Sequence, residues 1–528
     1  MKPILLTLAL FFGMAGCLSA QATLFHYTYA ADTADILEGM VATGDSGYIL
    51  VGHSEQDPAH QKPLIVKMNT LGQVEWSSMI NTVHSGRFDH IEPVSDGNYI
   101  ISGAERMNDT SVGFSYYIMK INPNGSILWQ QQWALPVGFN LEDGAGYLSV
   151  RAKENTDHGF AVMGYVLNNA SNYSYFHIFK INAAGQLQWS QLCDSSFKSD
   201  EGDLQIRATG NRGSIFVSGT MDDIRPIVIG MDNNGNHIWS QAYPDTAFND
   251  YLLLTGFCFT PDAGMLFSGN YYNWTNNSSG FALFRTDSLG QIVWARKYLT
   301  PFSSGGPVGA LLPTPDSAFV FSCFLDGHDG TSLIRAEWNS HLTWSKIYNA
   351  PTGYVFPVCT AQAADSGFAL GGNWNDNAGH LSRFSVIKTS TTGVTSCGDS
   401  DLALEEKPLT LVPGDTFSTR LLFLSEQVVH YGFYHVEVTG QDACFSLAVP
   451  SATPLANFSM EPNPCAGAFT ITGIQHAGMI RLYDITGTLR MNLQTDRSGR
   501  ATFDVSALPA GVYLVEAGGL YRKLVKIN

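Results

Sequence analysis

Five aspartates, Asp35, Asp89, Asp143, Asp203 and Asp250, recur at wide and fairly even intervals along this chain. Carboxylates gathered on one rim can hold a hard cation such as calcium, or work in pairs as acid and base on a glycosidic bond. Each also stands near the start of a short apolar run. There an Asp side chain commonly bonds its own backbone, and that plainer role is favoured. A second set is aromatic and polar: Tyr173, Tyr271, Tyr272, Trp274 and Trp374, with Asp326, His328, Asp329 and Asp376 nearby in sequence. Exposed aromatics among Asn and Asp suit carbohydrate or protein contact. Loops packing on themselves would use the same residues. Compact catalytic motifs are missing: the chain has no G-x-S-x-G elbow, no H-E-x-x-H pair and no phosphate-cradling glycine loop. The eight cysteines show neither C-x-x-C nor any metal-ligand spacing, so no cofactor is expected beyond a cation.

These residues sit on a repeat. An opening turn and strand recur at Asp45-Ser46-Gly47-Tyr48, Asp96-Gly97-Asn98-Tyr99 and Asp157-His158-Gly159-Phe160. They recur again at Arg212-Gly213-Ser214-Ile215, Asp262-Ala263-Gly264-Met265, Asp316-Ser317-Ala318-Phe319 and Asp365-Ser366-Gly367-Phe368. The strand closes on Gly52, Gly103, Gly164, Gly219, Gly269 and Gly372, with Cys323 in the sixth copy. A second turn leads to Trp76, Trp129, Trp189, Trp239, Trp294 and Trp344, with Cys397 at that place in the seventh copy. Asn or Asp opens this turn because its side chain bonds backbone two residues on, and Gly closes it because positive φ costs it nothing. Between the two turns lies an apolar strand ending in Lys67, Lys120, Lys180, Arg285, Arg335 or Lys388.

Four strands per unit of about 50 residues, repeated radially, predict a β-propeller of seven blades over residues 23–397. Each Trp is expected to wedge between adjacent blades as a structural residue. Phe25 to Tyr29 resembles the Trp-bearing strand and is expected to complete the last blade. The regular turns fall at one end of each blade and the long, varied loops at the other, where binding is usually found.

The total charge of -17 and the scarcity of charged residues, 14%, exclude a general nucleic-acid binder, which needs a basic face. Residues 1–22 read as a signal peptide. Lys2 is its positive end, Ile4 to Phe12 its apolar run and Ala20-Gln21-Ala22 its cleavage site. Met14-Ala15-Gly16-Cys17 also approaches a lipoprotein box, with Met14 where that box usually has Leu. No later segment reaches the ~20 apolar residues of a membrane span. Residues 398–450 break the repeat and read as a small β-rich extension, in which a Cys397–Cys444 disulfide is permitted by an oxidising compartment. Cys193, Cys258, Cys323 and Cys359 read as buried apolar residues.

Residues 451–455 form a linker, and 456–528 a compact all-β module with several motifs in order. These are Pro462-Asn463-Pro464, then Tyr483-Asp484-Ile485-Thr486-Gly487, then Pro509-Ala510-Gly511-Val512-Tyr513, then a basic end at Lys523. The module resembles the type A C-terminal sorting domain of the type IX secretion system of Bacteroidota. That resemblance implies an immunoglobulin-like β-sandwich, recognition by the secretion machinery at the outer membrane, and removal of the module after crossing. The leading expectation is therefore a secreted or surface-attached propeller that binds a glycan or a protein. The alternative is a polysaccharide hydrolase or lyase with its site on the variable-loop face.

Deleting residues 456–528 is expected to strand the protein in the periplasm. Cell fractionation checks this, and truncated protein in the medium would refute the sorting assignment.

Overall fold

The computed structural model describes residues 24–31, 34–55, 61–82, 84–106, 113–141, 150–171, 173–193, 202–209, 212–221, 225–244, 250–273, 275–300, 307–325, 330–349, 353–376, 382–396, 398–411, 419–421, 425–427, 433–436, 438–442, 459–472, 479–484, 489–496, 500–517 and 520–527. It divides into two compact units, Met1–Ser446 and Leu447–Asn528.

The first unit contains seven antiparallel sheets, each built on four strands in meander order. The first sheet comprises Asp35–Ala42, Tyr48–Glu55, Gln61–Met68 and Val74–Ile80. The innermost strand of each sheet lies against that of the next. The path runs from Asp35–Ala42 through Gly86–Pro93, Arg151–Glu154, Gly202–Thr209, Asp250–Phe259 and Pro307–Thr314 to Tyr354–Gln362, which returns to Asp35–Ala42. The last sheet takes its fourth strand from the other end of the chain. Phe25–Ala30 pairs with Ser382–Thr389, placing Phe25 opposite Lys388.

That register corrects one expectation. Trp76 stands opposite Lys67, Trp129 opposite Lys120 and Trp189 opposite Lys180. The indole's place in the seventh sheet therefore belongs to Phe25. Cys397, which follows the turn in sequence, lies outside the described residues, as does Cys444. The seventh unit begins at one end of the sequence and finishes at the other, so a linear alignment misassigns its last strand.

The seams between sheets repeat. Each indole rests on the turn of the following sheet: a Cβ on Gly125 would lie 2.8 Å from Trp76, and one on Gly185 would lie 3.0 Å from Trp129. Gly125 also has φ of 80°, so both backbone and space require glycine there. The indole N–H of Trp129, Trp189 and Trp294 donates to backbone oxygens of Ala183, Asn233 and Trp338 in that next turn, at 3.1, 2.9 and 2.9 Å. A second tie lies farther along the same strand. The hydroxyls of Tyr29, Tyr243, Tyr298 and Tyr348 donate to the oxygens of Gly72, Gly290, Ser340 and Gly393, at 2.7, 3.0, 2.8 and 2.7 Å. A half-buried indole contributes on the order of 1–2 kcal/mol by area alone.

Within sheets, the basic residue of the third strand pairs with the Asp of the opening turn. Lys67 meets Asp45 at 2.8 Å, Lys120 meets Asp96 at 2.7 Å and Lys388 meets Asp365 at 2.9 Å. Lys180–Asp157, Arg285–Asp262 and Arg335–Asp316 repeat the pair. Burial raises the Asp45 carboxyl, but the buried Lys67 ammonium, the Thr43 hydroxyl and the Gly47 N–H together outweigh it and bring the group to about 2. The fourth sheet carries Gly230 at this place.

The extension at 398–450 does not form a separate element where it is described. Its short strands run back around the first unit and add a fifth strand to the outer edge of one sheet after another. Asp399–Asp401 pairs with the sixth sheet and Glu405–Pro408 with the fifth. Thr419–Leu421 pairs with the third, Ser425–Gln427 with the second, Phe433–His435 with the first and Thr439–Asp442 with Phe25–Ala30. Outer strands otherwise present unpaired N–H and C=O groups. Leucines at alternate positions fasten this belt. Leu402 packs into the core between the fifth and sixth sheets, and Leu409 and Leu411 into that beside the fifth. The Leu402 N–H donates to Ser345 O at 3.0 Å, and Ser345 Oγ donates to Leu402 O at 2.6 Å.

The second unit packs a three-stranded and a four-stranded antiparallel sheet around one core that includes Phe469, Leu482, Phe503, Val515 and Leu524. No described residue of either unit is helical, so no helix is long and apolar enough to cross a membrane, which says nothing of β-barrels.

Replacing both Leu402 and Leu409 by Ala is expected to cost roughly 2–5 kcal/mol per site. Amide hydrogen exchange should then rise selectively in Ile292–Leu299 and Leu342–Asn349, the outer strands they cover.

Candidate functional site

The innermost strands create the site through a repeated irregularity. In the first sheet Leu37 faces Gly52 and Gly39 faces Val51, leaving Glu38 as an extra residue. In the second, Phe88 faces Gly103 and His90 faces Ser102, leaving Asp89. The fifth and seventh sheets do the same with Thr255 and Val358. Each bulge pushes a carbonyl toward the strand-closing glycine. A Cβ on Gly103 would come within 2.1 Å of the Arg87 oxygen, so the recurring glycine is a requirement of the bulge.

From the bulges onward the inner strands line a partly open cavity of about 440 Å³. Its lining comes from the first, second, third, fifth, sixth and seventh sheets. It extends from Glu38 toward Ala42, Pro93, Pro313 and Gln362, at the ends of the strands that lead into the regular turns. One arc of the lining is polar, with Glu38, His90, Glu92, Arg151 and Lys153. The fifth, sixth and seventh sheets supply mostly apolar residues, Cys258, Phe259, Leu311, Leu312, Val358 and Cys359, with Thr360 and Gln362 among them.

The polar arc is electrostatically divided. Burial pushes the Glu38 carboxyl up to about 8, helped by the nearby Asp89 carboxylate and opposed by Arg87. It therefore carries its proton at neutral pH and can donate a hydrogen bond. Asp89 is fully buried, accepts from Arg87 Nε at 2.9 Å and from the Val150 N–H at 3.0 Å, and is raised by burial against the pull of Arg87. Burial opposes the charge of Glu92 too, but Lys153 at 3.3 Å and His90 at 3.2 Å outweigh it and bring Glu92 to about 2. A neutral and an ionised carboxyl thus share one cavity. Above both, Cys359 stays a thiol, its pKa pushed up to about 12 by burial and then by Glu38.

The residues singled out from sequence are dispersed. Asp35 bonds the Ala31 N–H at 2.5 Å, the local backbone role favoured above. Asp203 and Asp250 lie opposite Ser218 and Asn273, and their side chains are outside the described residues. Relative to the strand-closing glycines, Asp35, Asp89 and Asp250 stand at different levels, so they do not form one ring. Asp143 and Trp274 lie outside the described residues. Tyr271 is 1% exposed: its ring packs in the core, under Lys297 Nζ at 4.4 Å from the ring centre. It is a core residue, not a surface contact. Tyr272 is half-buried and donates to Asn277 Oδ1 at 3.1 Å. Trp374 is half-buried with Arg383 above its ring. Among the described residues no three His, Cys, Asp or Glu side chains converge to hold a metal ion. Glu38, Glu92, Arg151 and Lys153 were not singled out. Nothing in the alternation of one strand marks them, because the bulge that turns Glu38 inward is visible only once strands are paired.

The sorting motif proves to be a set of ties within the second unit. Asn463 donates through Nδ2 to Lys523 O at 2.7 Å and accepts from the Val525 N–H at 2.9 Å, clamping Pro462-Asn463-Pro464 along the last strand. Cys465 follows, buried, with its N–H on Val525 O at 2.9 Å. Tyr483 donates to Glu516 at 2.9 Å, and Asp484 accepts from Arg490 Nε at 2.8 Å. Tyr513 donates to Pro509 O at 2.8 Å, just before Gly511 opens its strand. Gly487 lies outside the described residues.

Residues 459–526 match the family described as the secretion system C-terminal sorting domain. No curated protein matches the chain. Among solved structures, a protein of unknown function from Dyadobacter fermentans is similar at 9% identity over 70% of this chain and 98% of its own, with a TM-score of 0.41. An α-L-arabinanase of Penicillium chrysogenum, complexed with arabinobiose, is similar at 10% identity over 58% of this chain and 93% of its own, with a TM-score of 0.38. PorZ, a surface component of the type IX secretion system of Porphyromonas gingivalis, is similar at 9% identity over 95% of this chain and all of its own, with a TM-score of 0.19. Likenesses this distant carry no argument about activity.

Glu38 gives a stability test. Its folded-state value of about 8 lies above the ordinary 4.5, so the folded chain keeps a proton that the unfolded chain releases. Stability should fall as pH rises through that window and level off above it. Glu38→Gln removes the effect. Its melting temperature should match the parent near pH 5 and exceed it increasingly toward pH 8, measured by differential scanning calorimetry.

Proposed function

We propose that this chain is a passenger of the type IX secretion system of a Bacteroidota cell, released or held at the outer surface after passing the periplasm. Its first unit is a closed seven-bladed β-propeller, and its second an immunoglobulin-like sandwich that serves as the export address. The match at residues 459–526 supports the route. The return of the inner-strand contacts to Asp35–Ala42 supports closure. The molecular role is binding of an extracellular glycan. The observation that carries this is the cavity at the inner strands, lined by six of the seven sheets, part polar and part apolar, and far too small for a protein partner.

A second reading, glycoside hydrolysis, has one observation in its favour. Glu38 and Glu92 share the cavity with values driven apart to about 8 and about 2, the division of labour that an acid and a carboxylate base require.

Purified full-length protein is expected to bind members of a glycan array without releasing reducing sugar from them. Absence of binding to every glycan would sink the binding role. Reducing-sugar release that disappears in Glu38→Gln would establish the hydrolase instead.

A further inference from the structure

Taking glycan binding as given, the geometry points to the place and class of ligand: an uncharged sugar of one or two units, seated in the inner-strand cavity between the Glu38–Glu92–Lys153 arc and the Leu312–Cys359 wall, and entering from the end of the regular turns.

Size sets the first limit. A volume of about 440 Å³ lies near the small end of ligand pockets and suits one or two sugar rings, not a long chain. Chemistry sets the second. A sugar ring carries a rim of hydroxyls and faces of C–H groups, and this cavity presents one arc to each. The third limit is charge. Glu92 is already paired with Lys153 and His90, Asp89 behind the wall with Arg87, and Arg151 has a partner of its own. A charged ligand would have to break such a pair in a partly desolvated site, which costs more than it returns. Hydroxyls instead accept from Lys153 and Glu38 and donate to Glu92 without disturbing them. Water already reaches this arc, since the Glu92, His90 and Lys153 side chains are 25%, 22% and 29% exposed. A ligand would displace that water from groups held in place by their own partners, so little ordering remains to be done on binding.

This location differs from the loop end that strand alternation suggests. Gly39, Met40, Ala42, Pro93 and Gln362 line the cavity, and all lie downstream of the bulge, toward the regular turns. The sheets here differ in what they present. Glu38 fills the bulge of the first sheet and Val358 that of the seventh, so one repeated backbone device yields a site with distinct polar and apolar sides.

The test uses the purified full-length protein, with isothermal titration against neutral arabinose, galactose, glucose and their disaccharides, and against glucuronic and galacturonic acids. Two variants probe the cavity: Leu312→Trp to fill it and Lys153→Met to remove a polar contact on a residue that is partly exposed and outside the core. Both are checked by melting temperature, so that loss of fold is not read as loss of binding. Neutral sugars are expected to bind the parent, with at least a tenfold weaker association in both variants and no tighter binding of the uronic acids. Tighter binding of the uronic acids overturns the neutral-ligand assignment. A third variant, Trp374→Ala, probes the loop end: a loss confined to it would put the ligand there and overturn the cavity site, while leaving the binding role intact. Failure of every sugar and of the whole array overturns both.

Discussion

The structure depends on a seam. Each sheet of the first unit is too thin to bury both of its faces, and it meets the next through one aromatic ring laid on a glycine turn. The indole supplies apolar area, and its N–H reaches the neighbouring backbone where a seam would otherwise leave a carbonyl unpaired. Where the strand carries Tyr farther on, a hydroxyl repeats the tie. Because the residue beneath the ring must be small and must also take positive φ, two constraints fall on one position, met by glycine in six sheets and by Ser340 in the sixth. That is why the turn recurs so regularly while the surrounding loops vary.

The same economy shapes the inner strands. A bulge in the inner strand needs a glycine opposite it, and the extra residue it leaves is free to differ between sheets. Glu38, Asp89, Thr255 and Val358 occupy the same backbone place with unlike side chains. A repeated scaffold thereby carries an unsymmetrical interior. Burial, helped by the Asp89 carboxyl of the second sheet, keeps Glu38 protonated, and the third sheet supplies the lysine that keeps Glu92 ionised.

Two pieces of chain finish what the repeat leaves undone. Phe25–Ala30 completes the seventh sheet and brings Phe25 and Tyr29 to the Gly72 turn of the first, in the manner of every other seam. The belt after Asp399 then covers outer edges in the reverse order of the sheets. Buried leucines spaced along it act as fasteners, while the pairing itself is backbone and makes little demand on sequence. The second unit uses another device: Asn463 satisfies both a carbonyl and an N–H of the final strand, so its motif is held by structure whatever reads it.

The sequence by itself determined the repeat, the turn chemistry, the seam tryptophans and the place of Phe25–Tyr29 as the fourth strand of the last sheet. Those features follow local rules: glycine at positive φ, Asn bonding its own turn, and alternation along a strand. The motif order at Pro462, Tyr483 and Tyr513 was equally legible. Only tertiary structure decided that Tyr271 is core, that Phe25 stands in the seventh indole place, that the extension is a belt, and that Glu38 and Glu92 meet in one cavity. Each of these rests on pairing between distant strands. A bulge shifts the register by one residue and reverses which face a side chain meets, and no single strand carries a record of that shift.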